Sequence, residues 1–112
     1  MTPVSLGLME RLVQRRTLAR TVFVLTETLT ETTVHVMGDV DRSNVFEFNS
    51  EIRNASQRLV RVTVDLTFCT YFDLAAIRAL VLTHKRLGKR FSLILPQSLG
   101  VRNILQFAGI SL

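Results

Sequence analysis

A chain of 112 residues, 47% apolar and 21% charged, has the size and balance of one globular domain with a single hydrophobic core, which argues against a disordered polypeptide. No apolar run approaches the roughly 18–20 residues that span a bilayer, and residues 1–20 lack the uninterrupted apolar centre of a secretory signal. The lone Cys69 cannot close an internal disulfide, so a cytoplasmic protein with no stable membrane insertion is expected.

The net charge of +5 comes from twelve Arg and two Lys against nine acids. Arg42, Arg53, Arg58, Arg61, Arg78, Arg86, Arg90 and Arg102 fall on different predicted elements, and only Arg11, Arg15, Arg16 and Arg20 lie close together. That scatter reads as solvated surface, not as a nucleic-acid footprint.

In chain order, residues 5–18 (SLGLMERLVQRRTL) read as an amphipathic helix. Leu8, Met9, Leu12 and Val13 take one face; Glu10, Arg11, Gln14 and Arg15 take the other. This separates an N-terminal helical extension, 1–20, from a domain over 21–112, with the helix packed on that domain or on a second copy. Thr21–Thr28 and Thr32–Met37 are β-rich runs separated by three residues, a hairpin. Gly38-Asp39-Val40-Asp41 follows, with Asp41 or Ser43 as cap of a helix whose apolar stripe is Val45, Phe48, Ile52 and Ala55. Arg42, Glu47, Glu51 and Arg53 are expected outside that stripe.

The centre of the chain runs from Leu59 to Leu80. Val60, Val62, Val64 and Leu66 alternate with polar residues as a strand, and a short polar and aromatic connection leads to Asp73 at an N-cap position. Ala76, Ile77, Leu80, Val81 and His84 then form a helical stripe, and Gly88 ends that helix. Phe91–Leu95 is a further strand before Pro96, and a last helix covers roughly Ser98 to Phe107. Strand–helix alternation after the hairpin predicts a small α/β sandwich with a mixed sheet and helices packed on it.

Little in the sequence suggests chemistry. Neither a G-x-G-x-x-G nor a P-loop is present. His35, His84 and Cys69 have no metal-ligand spacing, so no metal and no cofactor is expected. Cys69 reads as a small buried residue near a strand end, and helix capping accounts for Asp73 and Asp41 without an acid–base role. A non-enzyme is the expectation.

The order Gly38-Asp39-Val40-Asp41, helix, Val64-Asp65-Leu66-Thr67, then Phe72-Asp73 opening a helix, resembles the STAS domain. That family covers sulphate-transporter cytoplasmic domains and bacterial anti-sigma-factor antagonists. The resemblance runs from about Thr21 to the C-terminus, so the fold it implies is a STAS-like α/β sandwich carrying an extra N-terminal helix. In the antagonist branch the central loop reads Asp-Ser-Ser-Gly, and the first hydroxyl is phosphorylated by a partner anti-sigma kinase. Here Asp73 matches the motif Asp, but Leu74 stands at the phosphoacceptor position and Ala75 and Ala76 replace Ser and Gly. Leucine has no hydroxyl to phosphorylate; Thr70 and Tyr71 are the nearest substitutes.

The resemblance implies a protein–protein interaction module for transcription regulation. Its partner would be an anti-sigma factor or serine-kinase-like regulator, and its docking surface Asp39, Asp41, Ser43, Thr70, Tyr71, Asp73, Leu74, Ala75 and Arg78. The alternative is a structural subunit of a transporter, for instance of a lipid-transport ATPase complex. Family members commonly continue with another strand and helix where this chain stops at Leu112. On that ground residues 1–20 are expected to cover the gap within one chain or across a homodimer.

Overall fold

Alternation of apolar and polar residues builds most of this molecule, a computed structural model of which describes residues 10–107. Five strands lie in one sheet in sequence order: β1 (Arg11–Leu18), β2 (Thr21–Glu27), β3 (Glu31–Val40), β4 (Arg61–Phe72) and β5 (Phe91–Ile94). The first three run antiparallel; β3–β4 and β4–β5 are parallel. Parallel neighbours need crossovers, and α1 (Val45–Ala55) and α2 (Leu74–Leu87) supply them. A 3-10 turn, Gly88–Arg90, precedes β5, and α3 (Leu99–Phe107) follows it. The expected mixed sheet, hairpin and three helices are all present.

The core lies between sheet and helices. Phe23 and Leu25 of β2, Val34, Val36 and Val40 of β3, and Val62, Val64 and Leu66 of β4 are buried. Against them pack Phe48 and Ile52 of α1, Ala76 and Leu80 of α2, and Val101 and Leu105 of α3. Phe48 meets Phe72 edge-on, with centroids 5.6 Å apart, and lies tilted against Phe23 at 6.0 Å. Burying a side chain of this size contributes about 2–3 kcal/mol, so these three rings anchor α1 to β2 and β4 together.

The N-terminal helix is the main correction. Residues 11–18 form a strand, antiparallel to β2 from Arg11↔Glu27 to Leu18↔Thr21 with a bulge at Val13. Residues 5–9 of the expected helix lie outside the described residues. Leu12 and Val13, read as part of a buried stripe, are 63% and 45% exposed. Without β1, the outer edge of β2 would leave amides and carbonyls unpaired; pairing satisfies them and overrides a weak helical pattern already interrupted by Gly7. Arg11 completes the pairing by donating to Glu27 Oε1 through Nε (2.9 Å) and Nη2 (2.6 Å).

The central strand is longer than its alternation suggests. Core-facing positions on β3 keep strict period two, while β4 inserts an extra residue twice, between the His35 and Met37 pairings and again between Gly38 and Asp39. Core-facing apolar positions on β4 therefore run Val62, Val64, Leu66, Cys69 and Phe72. Two bulges break the sequence pattern at Thr67 and make a strand look like a connection.

On α1, neither Asp41 nor Ser43 is the cap. The N-cap is Asn44, without a side-chain cap hydrogen bond. Asp41 instead closes the preceding turn: its carboxylate accepts from the Ser43 amide (2.8 Å) and hydroxyl (2.5 Å). Gln14 and Arg16 of β1 reach a second misplaced residue, Glu51, expected on the outer face but fully buried. Glu51 Oε2 accepts from Gln14 Nε2 at 2.9 Å and lies 3.5 Å from Arg16 Nε. Its Oε1 is buried with no hydrogen-bond partner. Burial pushes this carboxyl above the usual range, and the Arg16 charge and Gln14 bond only partly offset it.

A raised folded-state pKa contributes stability at low pH that is lost as pH climbs through it. The difference in unfolding free energy between Glu51→Gln and the wild type should thus shift in the variant's favour between about pH 5 and about pH 8. Urea titrations at both values measure it, and a pH-independent difference would contradict the assignment.

Candidate protein-docking site

In a sheet with parallel crossovers, the loops at the carboxyl ends of the parallel strands converge at one edge. Here β3 ends at Val40 and β4 at Phe72, neighbours in the ladder, and each passes at once into a helix. The β4 exit is tied down by the Asp73 amide donating to Val40 O (3.1 Å). Asp73 then caps α2, its Oδ1 accepting from the Ala76 amide at 3.1 Å. Extended geometry at Asp73 followed by helical geometry at Leu74 leaves Leu74 as the first helical residue, 69% exposed at the tip.

The expected site residues fall into two adjoining groups. Thr70, Tyr71, Asp73, Leu74, Ala75 and Arg78 belong to the β4 exit and the first turns of α2. Tyr71, Leu74 and Arg78 are exposed; Asp73 and Ala75 are half-buried. Asp39, Asp41 and Ser43 belong to the β3 exit, beside a cavity of about 260 Å³ that Arg20 and Asn44 also line. Thr70 joins the groups by donating to Asp39 Oδ1 at 2.5 Å. That bond engages the Thr70 hydroxyl. At the α1 entrance, Asn44 is buried and donates to Asp39 O (2.9 Å) and Thr21 Oγ1 (3.1 Å), fixing the turn from below. The Ser43 hydroxyl, then its amide and the Arg20 charge, hold the Asp41 carboxyl below the usual range against slight desolvation.

Two exposed apolar side chains escaped the sequence reading. Phe46, at the start of α1, is 70% exposed, and Phe68, on the bulged stretch of β4, is 62% exposed. Phe46 lies outside the stripe of Val45, Phe48, Ile52 and Ala55, which was the available signal; nothing marked Phe68 before the bulges were known. Phe46 stands at the α1 entrance near this edge, whereas Phe68 lines a separate cavity on the sheet with His35, Met37 and Asp65.

Elsewhere, potential reactive groups are held in structural bonds. Cys69 is buried and its Sγ donates to Tyr71 O (3.3 Å); burial pushes the thiol up to about 11. His35 bridges strands, its Nδ1 3.0 Å from Asp65 Oδ2 and its Nε2 2.9 Å from Thr26 Oγ1. Burial raises the Asp65 carboxyl, but the Thr67 hydroxyl and amide, with His35, more than offset that and hold it below the ordinary value. The hydroxyl–imidazole–carboxylate order suggests a hydrolytic trio. However, Thr26 also donates to Glu10 Oε2 at 2.9 Å and Asp65 Oδ1 accepts from the Thr67 amide and hydroxyl, so the three side chains belong to a wider bonding network. Among the described residues no group of His, Cys, Asp and Glu could hold a metal ion.

A family model described as "Mlab, STAS domain" matches residues 23–111, most of the chain. This chain belongs to the STAS domain family. Solved STAS-type structures share its fold. An anti-sigma factor antagonist from Mycobacterium paratuberculosis is 16% identical with a TM-score of 0.69, covering 80% of this chain and 78% of its own. An antisigma-factor antagonist STAS domain from Rhodobacter sphaeroides is 21% identical with a TM-score of 0.53, covering 68% and 87%. A search of curated proteins finds no sequence match. The identities are low enough that these likenesses speak for the fold of this STAS domain alone.

Two outcomes test the geometry of the STAS edge. Asp73→Ala should destabilise the domain by about 1 kcal/mol, and hydrogen exchange should localise the lost protection to the first turn of α2. Cys69 should resist iodoacetamide at about pH 8 in the native protein and react once urea unfolds it; rapid native alkylation would mean that the thiol is not seated under Tyr71.

Proposed function

We propose that this STAS domain is a non-catalytic docking module that receives a regulatory protein, of the anti-sigma-factor or serine-kinase-like type, at the tip of α2. The observation that carries the reading is Leu74: it occupies the first helical position after the Asp73 cap, where the antagonist pattern has its phosphoacceptor, and it is 69% exposed. A hydroxyl there would let a phosphate add roughly −1.5 to −2 charges and break a docked surface. Leucine removes that control and supplies apolar contact instead, so docking is constitutive. Asp39, Asp41, Ser43, Thr70 and Tyr71 form the polar surround, and Arg78 lies one turn up α2. No described helix is long and apolar enough to cross a membrane, which fits a protein that works in the cytoplasm.

A second reading is a structural subunit held permanently in a transporter assembly. A constitutive contact suits that role equally, and the family model that matches is the one described as Mlab. Homodimerisation through the N-terminal region is compatible with either reading.

Affinity purification of the tagged chain from its native host separates them. The docking reading expects a kinase-like ATPase or sigma-regulating protein whose recovery is lost in Leu74→Asp; transporter subunits alone would establish the second reading. With that kinase and ATP, the wild type should remain unlabelled while Leu74→Ser gains label. Stoichiometric labelling of the wild type at Thr70 would show that phosphorylation control has moved to β4.

A further inference from the structure

The charge of this chain is distributed unevenly along its length. All nine acidic residues precede Ala75, whereas six of the fourteen Lys and Arg follow it. Folding gathers most of those six. On α2, positions 74, 78, 82, 85 and 86 fall within one side of the helix at spacings of three and four, and Lys89 continues the line into the 3-10 turn. Leu74 and Leu82 are 69% and 58% exposed, and Arg78, Lys85, Arg86 and Lys89 are exposed as well. The opposite side of α2, through Ala76, Ile77, Leu80 and Thr83, is buried in the core. The result is a rigid ridge about 21 Å long on which leucines alternate with cations.

Arg78, Lys85, Arg86 and Lys89 take part in none of the ion pairs among the described residues. By contrast, Arg90 is committed to structure, donating to the carbonyls of Val60 (3.1 Å) and Arg58 (2.8 Å). Arg58 in turn pairs with Glu27 at 3.1 Å. The cations needed to hold the fold are thus distinguishable from those left facing outward. On neighbouring α1, Arg53 is exposed too and adds charge of the same sign.

We infer that the outer ridge of α2 from Leu74 to Lys89 is a docking surface for an acidic amphipathic helix of a partner protein. Charge complementarity identifies the partner's polar residues as Glu or Asp. Leu74 and Leu82, about 12 Å apart along the axis, set the spacing for two apolar anchors from such a helix. A lipid surface fits less well: interfacial helices insert a continuous apolar face about 5–10 Å into the bilayer, and here that face is in the core while the ridge offers two leucines set among cations. Single-stranded nucleic acid would call for aromatic stacking platforms, and the ridge from Leu74 to Lys89 carries no Phe, Tyr or Trp. This inference rests on the docking reading for Leu74 and extends it along the helix, naming the chemistry of the partner.

The test uses the full chain and three fluorescein-labelled peptides of about 20 residues, long enough for the ridge: an amphipathic Leu/Glu helix, a scramble of the same composition, and a Leu/Lys helix. Anisotropy should show binding of the amphipathic acidic peptide alone. Affinity should fall about tenfold or more in Lys85→Glu/Lys89→Glu and in Leu82→Asp, and should weaken as salt rises from about 50 to about 200 mM. All three substitutions are on exposed positions, and circular dichroism checks that the variants fold. Equal binding of scramble and amphipath, or binding unmoved by the substitutions, would overturn the inference. So would failure of the acidic peptide while the chain sediments with phosphatidylglycerol-containing vesicles or shifts a single-stranded oligonucleotide. If Leu74→Asp abolishes capture of the native regulator and the ridge variants do not, docking at the tip stands and the ridge inference falls.

Discussion

The parallel pairing of β3 with β4 is the constraint on which the rest depends. It places two strand exits side by side, so that the chain must turn into α1 from one and into α2 from the other at the same edge. The two bulges in β4 complete the arrangement. They turn Cys69 and Phe72 into the core while Thr70 and Tyr71 face out, and the edge-on contact of Phe72 with Phe48 then holds the two crossovers together. An unbulged β4 of the same length would turn Phe68 and Thr70 toward the core in place of Cys69. The shape of this edge is a consequence of strand irregularity within a regular sheet.

Asp73 shows how local and global structure agree at this edge. Its backbone amide bonds to the end of β3 and its side chain bonds to the first turn of α2, so one residue joins the sheet to the helix. The position that follows is therefore rigid and solvent-facing for any side chain. With leucine there, the position presents an exposed apolar side chain.

Much of this was legible in the residues. The hairpin, the Asp73 cap, the strand over Val62–Leu66 and the core stripe of α1 at Phe48, Ile52 and Ala55 all follow from period and capping chemistry, and the structure has them. Three of the failures share a physical cause: each depended on a neighbour far away in sequence. The strand over residues 11–18 exists because the edge of β2 needs a partner. Glu51 is buried because Gln14 and Arg16 of that strand reach over it. The continuation of β4 to Phe72 is visible only against β3. At the site, Leu74 could be placed at the helix tip, but the bond from Thr70 to Asp39 could not be foreseen without the ladder that sets them together. Likewise, cations that look dispersed in the sequence share one side of α2 because the helix brings every third and fourth residue into line.

Gly38 ties the amino-terminal hairpin to these events. It adopts a positive φ of +100°, and a Cβ there would sit 2.3 Å from the carbonyl oxygen of Arg20 in the β1–β2 turn. That turn is itself tight, with Ala19 in the left-handed region at φ 51°. The seam between turn and strand therefore has no slack, and Asp39 begins immediately beyond it. Lengthening the 18–21 turn, as when inserting a tag or reporter, would lever the β3 exit out of alignment and disturb the edge at Asp39 and Asp73 without touching any residue on it. The opposite end of the sheet, where β2 turns into β3 at exposed Leu29 and Thr30, is mechanically remote from that edge and is the place from which the domain can be handled.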